Sequence, residues 1–131
     1  MGMNETPHQK AIHAYFAAYN AADCETLLRL FTQDIVVCDP VGQSRYIGVD
    51  EVREFYASAV RQGTRLVPIG VICGSYGNQA AVALTVIATL PDGARATVDV
   101  IDLFTFNAQG QICRIDVFFG PENIQYEDSA S

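Results

Sequence analysis

The chain has no tryptophan, and its 8 lysines and arginines are scattered among 15 acids for a net charge of -7. Without a basic patch there is no footprint for a nucleic-acid backbone or an anionic membrane surface. The cysteines, Cys24, Cys38, Cys73 and Cys113, form no CxxC pair and have no histidine at ligand spacing, which removes the usual zinc signatures. His8 and His13 stand too far round a helix axis to share a metal, and both are expected on the surface. A phosphate loop, a GxSxG elbow, an HExxH helix and a dinucleotide fingerprint are also missing, so no metal and no cofactor are expected. No apolar stretch is long and charge-free enough to span a bilayer. The first ten residues are too polar for a secretory leader, and reduced thiols in a cytoplasmic setting are expected.

What is present is a globular composition, with 50% hydrophobic and 18% charged residues over 131 positions. That length predicts one domain over residues 1–131, with 1–5 and 122–131 loosely held. Thr6, Pro7 and Gln9 make a capping box with proline at the first helical position, and Ile12, Tyr15, Phe16 and Tyr19 then recur on one helical face. Asp23 caps a second helix, predicted to run to about Thr32 with Leu27, Leu28, Leu30 and Phe31 inward. A short strand over 35–39 is stopped by Pro40 and a turn, and a third helix starts near Val49 with Asp50 and Glu51 in its first turn.

After Gly63 the period changes. Residues 66–76, 80–90, 94–106 and 111–119 read as four strands joined by short Gly- or Asn-containing turns, which forces antiparallel neighbours. The fold class is α+β, a curved antiparallel sheet packed against three helices from the first half.

Four polar residues stand out on apolar faces. In the strand from Thr97 to Phe106, alternation puts Val98, Val100, Asp102, Phe104 and Phe106 on one side, so one carboxyl is set into a greasy surface. Buried there, its pKa rises and it becomes a neutral donor; a shifted register or a cation partner is the competing account. Asp39 ends an apolar strand before Pro40, a position where Asp more commonly opens a turn. Tyr15 and Tyr56 sit on the apolar faces of the first and third helices, where ordinary core tyrosines are also found.

Together, Tyr15, Asp39-Pro40-Val41-Gly42-Gln43, Phe55-Tyr56 and Asp99-Val100-Ile101-Asp102 resemble the bacterial Δ5-3-ketosteroid isomerases, from the first helix to about Asn123. The resemblance implies the cystatin-like cone shared with nuclear transport factor and scytalone dehydratase. It also implies the chemistry of a family that is itself a standard example of carboxyl pKa tuning. On that basis Asp39 is the expected general base, Tyr15 and protonated Asp102 the expected oxyanion hole, and Tyr56 the expected support for Tyr15. Phe55, Val98, Val100, Ile115 and Phe119 are the expected substrate wall. A small apolar ketone, steroid in class, is the expected partner, together with a second copy in a homodimer.

Asp99 points to the other side of its strand and is expected outside the site. Where several members carry a third networked tyrosine this chain has Phe31, and where some carry a tryptophan it has Phe119. Two other readings stand beside the isomerase: a cone-fold epoxide hydrolase or polyketide cyclase, and a non-catalytic binder of small apolar ligands.

Overall fold

A computed structural model describes residues 5–127. Helix α1 (Pro7–Asn20) starts at the reciprocal cap read from the sequence. The Gln9 backbone N–H donates to Thr6 Oγ1 at 3.1 Å, and the Thr6 N–H donates to Gln9 Oε1 at 2.9 Å. Helix α2 (Cys24–Arg29) is capped by Asp23, whose carboxylate accepts from the Thr26 N–H at 3.2 Å. It is shorter than expected: Leu30 caps its end and Phe31 opens strand β1 (Phe31–Cys38). Strand β2 (Arg45–Ile47) follows the loop after Pro40, then helix α3 (Val49–Arg61). The long strands are β3 (Arg65–Cys73), β4 (Gln79–Thr89), β5 (Arg95–Phe106) and β6 (Ile112–Phe118). Residues Pro121–Asn123 form a 3-10 turn leading into β7 (Ile124–Tyr126).

The strands make one seven-stranded sheet in the order β2-β1-β6-β5-β4-β3, with β7 also on β5. Its long pairings are the expected hairpins; the turn from Asn107 to Gly110 closes because Gly110 adopts φ +81° and its N–H donates to Asn107 O at 3.1 Å. The sheet is mixed rather than purely antiparallel, because β1 lies parallel to β6. That pairing joins a strand that precedes the meander to the meander's last strand, so turn chemistry could not announce it. Residues 122–127 were expected to be loose, but Glu122 and Asn123 belong to the turn and β7 pairs with Ala96–Val98 of β5. They extend the β6 side of β5 beyond the break at Phe119. Residues 1–4 and 128–131 of the expected loose ends lie outside the described residues.

The helices cover one face of the sheet. Ile12, Phe16, Leu27, Ile35, Val52, Phe104 and Phe106 pack there and are almost fully removed from water. His8 is half-buried rather than on the surface, because its ring stacks on Phe106 at 4.0 Å; His13 is exposed and pairs with Glu5 at 2.9 Å. Two hydrogen bonds clamp the end of α1 to β3: Asn20 Nδ2 donates to Leu66 O at 2.7 Å, and the Leu66 N–H donates to Asn20 Oδ1 at 3.0 Å. The opposite sheet face carries exposed Ile69, Ile101 and Phe118. None of the four cysteines is in a disulfide, and no helix among the described residues is long and apolar enough to cross a membrane.

Candidate functional site

Strand alternation decides where Asp102 goes. Val100, Asp102, Phe104 and Phe106 of β5 are buried, whereas Asp99 and Ile101 at the alternate positions are exposed. Asp102 pairs with Val82 of β4 and Val117 of β6, so its neighbours across the sheet are apolar. It is 3% exposed, and among the described residues no lysine or arginine lines the cavity it faces. Burial, and secondarily the charge of Asp39, push its pKa up to about 8. A contrasting acid lies on β6, where buried Asp116 faces the other way and accepts from Arg114 Nε at 3.0 Å.

Asp39 follows β1 at the edge of the cavity. Its N–H donates to Ser44 O at 2.9 Å, and the Val41 N–H donates to Val117 O at 2.9 Å, so the loop after β1 is tied to both β2 and β6. Burial raises the Asp39 carboxyl to about 6. The coupling to Asp102 has a simple order: Asp39 loses its proton first, while Asp102 is still neutral, and Asp102 must then ionise beside a charge. Near pH 7 this order leaves Asp39 the more readily ionised of the two and Asp102 the one that keeps its proton.

The phenols come from the helices. Tyr15 on α1 and Tyr56 on α3 are each 3% exposed, and their hydroxyl oxygens are 2.8 Å apart. Burial, then the neighbouring phenol and carboxylates, raise the Tyr15 pKa well above the ordinary value, so it remains a donor. Phe31 packs beside both rings, at 6.3 Å from Tyr15 and 5.9 Å from Tyr56, and contributes no hydroxyl.

These groups share a cavity of about 230 Å³ between the helices and the sheet. Tyr15, Asp39, Tyr56 and Asp102 line it together with Phe55, Val98, Val100 and Phe119. Ile115, expected in the wall, is not there. It pairs with Phe104, deeper along β5, and is fully buried in core; Val117, two residues on and opposite Asp102, lines the cavity instead. Leu66, Leu84, Val86, Ala59, Ala88, Tyr19 and Thr64 complete the lining and were not anticipated as site residues. The β4 residues Leu84 and Val86 could have been found from their register with Val100 and Val98, had strand pairing been known. Among the described residues no group of three or more His, Cys, Asp or Glu is arranged to hold a metal ion.

Chemically, the cavity offers a base and two kinds of neutral donor within an apolar wall. That combination suits proton transfer to and from carbon or oxygen on a greasy molecule.

The steroid Delta-isomerase of Nocardioides simplex is 27% identical over 113 residues, covering 85% of this chain and 88% of that protein. Among solved structures, the epoxide hydrolase/cyclase-like enzyme SalBIII, of pyran ring formation in polyether salinomycin, is 28% identical with a TM-score of 0.85, covering 92% of this chain and 95% of that one. Mycobacterium tuberculosis RV0760c, in complex with estradiol-17beta-hemisuccinate, shares the fold at 18% identity and a TM-score of 0.85, over 92% of this chain and all but 1% of the other (99% covered). The description of the SnoaL-like domain matches residues 12–115, most of the chain, and the chain therefore belongs to the SnoaL-like family of cone folds.

Proposed function

We propose that the protein is an intramolecular isomerase that moves a carbon–carbon double bond of a 3-oxosteroid from β,γ to α,β conjugation. Asp39, ionised at neutral pH, takes a proton from the carbon beside the ketone. The electron pair left behind delocalises onto the ketone oxygen as a dienolate, which accepts hydrogen bonds from Tyr15 and from protonated Asp102. Asp39 then returns the same proton two carbons away, and the carbonyl reforms. Protons and electrons balance within the substrate. Tyr56 holds the Tyr15 hydroxyl in position through their 2.8 Å contact.

One observation carries this reading: two carboxyls face the same apolar cavity with no lysine or arginine in its lining among the described residues, and burial raises Asp102 further than Asp39. A base and an acid of the same residue type are what this reaction needs at one pH. The 27% identity to a steroid Delta-isomerase supports the same class, and the steroid named with RV0760c supports a ligand of this shape. The homodimer belongs to the proposal as well, with exposed Ile101 and Phe118 on the outer sheet face as its contact, and size-exclusion mass checks it.

The test is purified protein with a Δ5-3-ketosteroid and nothing else, followed by growth of enone absorbance. Asp39→Asn is expected to lose about 10²–10⁴-fold in turnover, the ordinary share of general acid–base catalysis. Absence of turnover by the wild type, or undiminished turnover in Asp39→Asn, overturns the assignment.

A second reading has its own support in the 28% identity to an epoxide hydrolase/cyclase-like enzyme. There Asp39 would deprotonate a hydroxyl nucleophile while Asp102 protonates the opening epoxide oxygen. Against it, no arginine among the described residues lines the cavity to complete the Asp-Arg-Asp arrangement expected of the water-activating members. Ring closure of a hydroxy-epoxide without enone formation would select it.

A further inference from the structure

Six polar side chains line the cavity, and the proposed isomerisation uses four of them; Tyr19 and Thr64 are left over. Tyr19 follows Tyr15 by one helical turn on α1 and so projects from the same face. It is 4% exposed, yet its hydroxyl has no hydrogen-bond partner. Buried tyrosines ordinarily find one, so an orphan hydroxyl against a cavity asks what it is kept for.

The side chain is not free to search. Its ring stands edge-on to Tyr56 at a centroid distance of 6.0 Å, and the adjacent Asn20 is held by two hydrogen bonds to Leu66. Thr64 lies two residues before that clamped position. It is close enough to draw the Tyr19 pKa down against the larger effect of burial, but no hydrogen bond of good geometry closes between them. Leu66, to which Asn20 is clamped, pairs with Val86 of β4, and Val86 pairs with Val98 of β5, whereas Asp102 lies farther along β5 opposite Val82. Tyr19 therefore stands toward that end of the cavity, away from the pole where a ketone oxygen would meet Tyr15 and Asp102.

We propose that Tyr19 and Thr64 form a second polar subsite, which receives a hydroxyl or carbonyl oxygen of the substrate remote from the reacting ketone. Each hydroxyl can donate or accept, so either oxygen type fits. A substrate lacking that oxygen leaves the Tyr19 hydroxyl unpaired in a dry wall, which is how a buried polar group discriminates between ligands of the same shape. This subsite rests on the isomerase reading, and it makes the preferred substrate a doubly oxygenated apolar ketone.

The test is equilibrium binding of conjugated enones, which are not turned over: a parent ring ketone and analogues carrying one further hydroxyl or carbonyl at successive ring positions. For wild type, at least one analogue is expected to bind about tenfold tighter than the parent, the ordinary effect of one hydrogen bond to a buried group. In Tyr19→Phe, which keeps the ring, that ratio falls to about one, and in Thr64→Val it falls part of the way. If no analogue is preferred, or if the preference survives both substitutions, the subsite is refuted. Assaying wild-type isomerisation of the unconjugated parent alongside keeps the two failures apart, because turnover reports on Asp39 and the binding ratio on Tyr19.

Discussion

Replacing Asp102 by asparagine should stabilise the protein, and by an amount that grows with pH. In the unfolded chain this carboxyl ionises near 3.8, and in the fold burial raises it to about 8. A raised folded pKa means that folding must bind a proton wherever the unfolded chain has lost one. The native state is thus unpenalised below about pH 4 and loses stability as pH climbs through the folded value. At 1.36 kcal/mol per unit, the shift from 3.8 to about 8 costs about 2 kcal/mol at pH 5 and about 4 at pH 7, levelling near 6 above pH 8. Asparagine has nearly the same shape, keeps a donor in the cavity and does not titrate, so Asp102→Asn removes the cost. Against a typical total stability of about 5–15 kcal/mol the gain is easily measured. Urea unfolding of both proteins at pH 5, 6, 7 and 8 gives the difference directly. The two stabilities should diverge by a little over 1 kcal/mol per pH unit, roughly, from pH 5 to 7 and more slowly toward pH 8. Parallel curves, or a less stable Asp102→Asn, would refute a buried, unpaired acid at this position.

In steady-state kinetics, kcat/KM should be bell-shaped. It rises through about 6 as Asp39 loses its proton and falls through about 8 as Asp102 loses its own; Asp102→Asn should keep the acid limb and lose the alkaline one. Tyr56→Phe deprives the Tyr15 hydroxyl of its 2.8 Å partner and should lower kcat about 3- to 10-fold with little change in KM, as expected for about one hydrogen bond of positioning. Phe104→Ala opens a hole in fully buried core and should cost about 3–5 kcal/mol in urea unfolding. Asp99→Asn, on the exposed face of β5, should leave turnover within about twofold of wild type.

Legibility in the sequence followed the strength of local patterning. The inner face of β5 could be read because its outer face exposes Asp99 and Ile101, so alternation had two distinguishable sides. On β6 the same method failed: Ile115, Asp116 and Val117 are all buried, and parity could not say that Val117 lines the cavity while Ile115 lies deeper. Strands β2 and β7 escaped because each is three residues long and half-exposed, held by pairing rather than by an apolar run. The parallel contact of β1 with β6 depends on how the chain returns across the sheet, which no turn motif records. Tyr19 was visible only as one more aromatic on the buried face of α1. What distinguishes it, a hydroxyl with no partner, exists only once α3 and β3 are packed around it.

That packing also bears on whether the cavity is a passive container. A binder of small apolar molecules gains nothing from Asp102: leucine or asparagine would fill the position without the pH-dependent cost worked out above. Nor is Asp102 held by a structural partner: among the described residues no lysine or arginine lines the cavity, and Arg114 of β6 is engaged with Asp116 on the other face. The same holds, less steeply, for Asp39, raised by burial alone. Two separate departures from the stable choice, facing one cavity and leaving one carboxyl charged and the other neutral, are hard to reconcile with containment. They match a site in which a proton is lifted by one group while a growing negative charge is met by the other. Asp102→Asn therefore reads two quantities at once. If stability rises and the alkaline limb of kcat/KM disappears together, the energetic cost and the chemistry belong to the same proton.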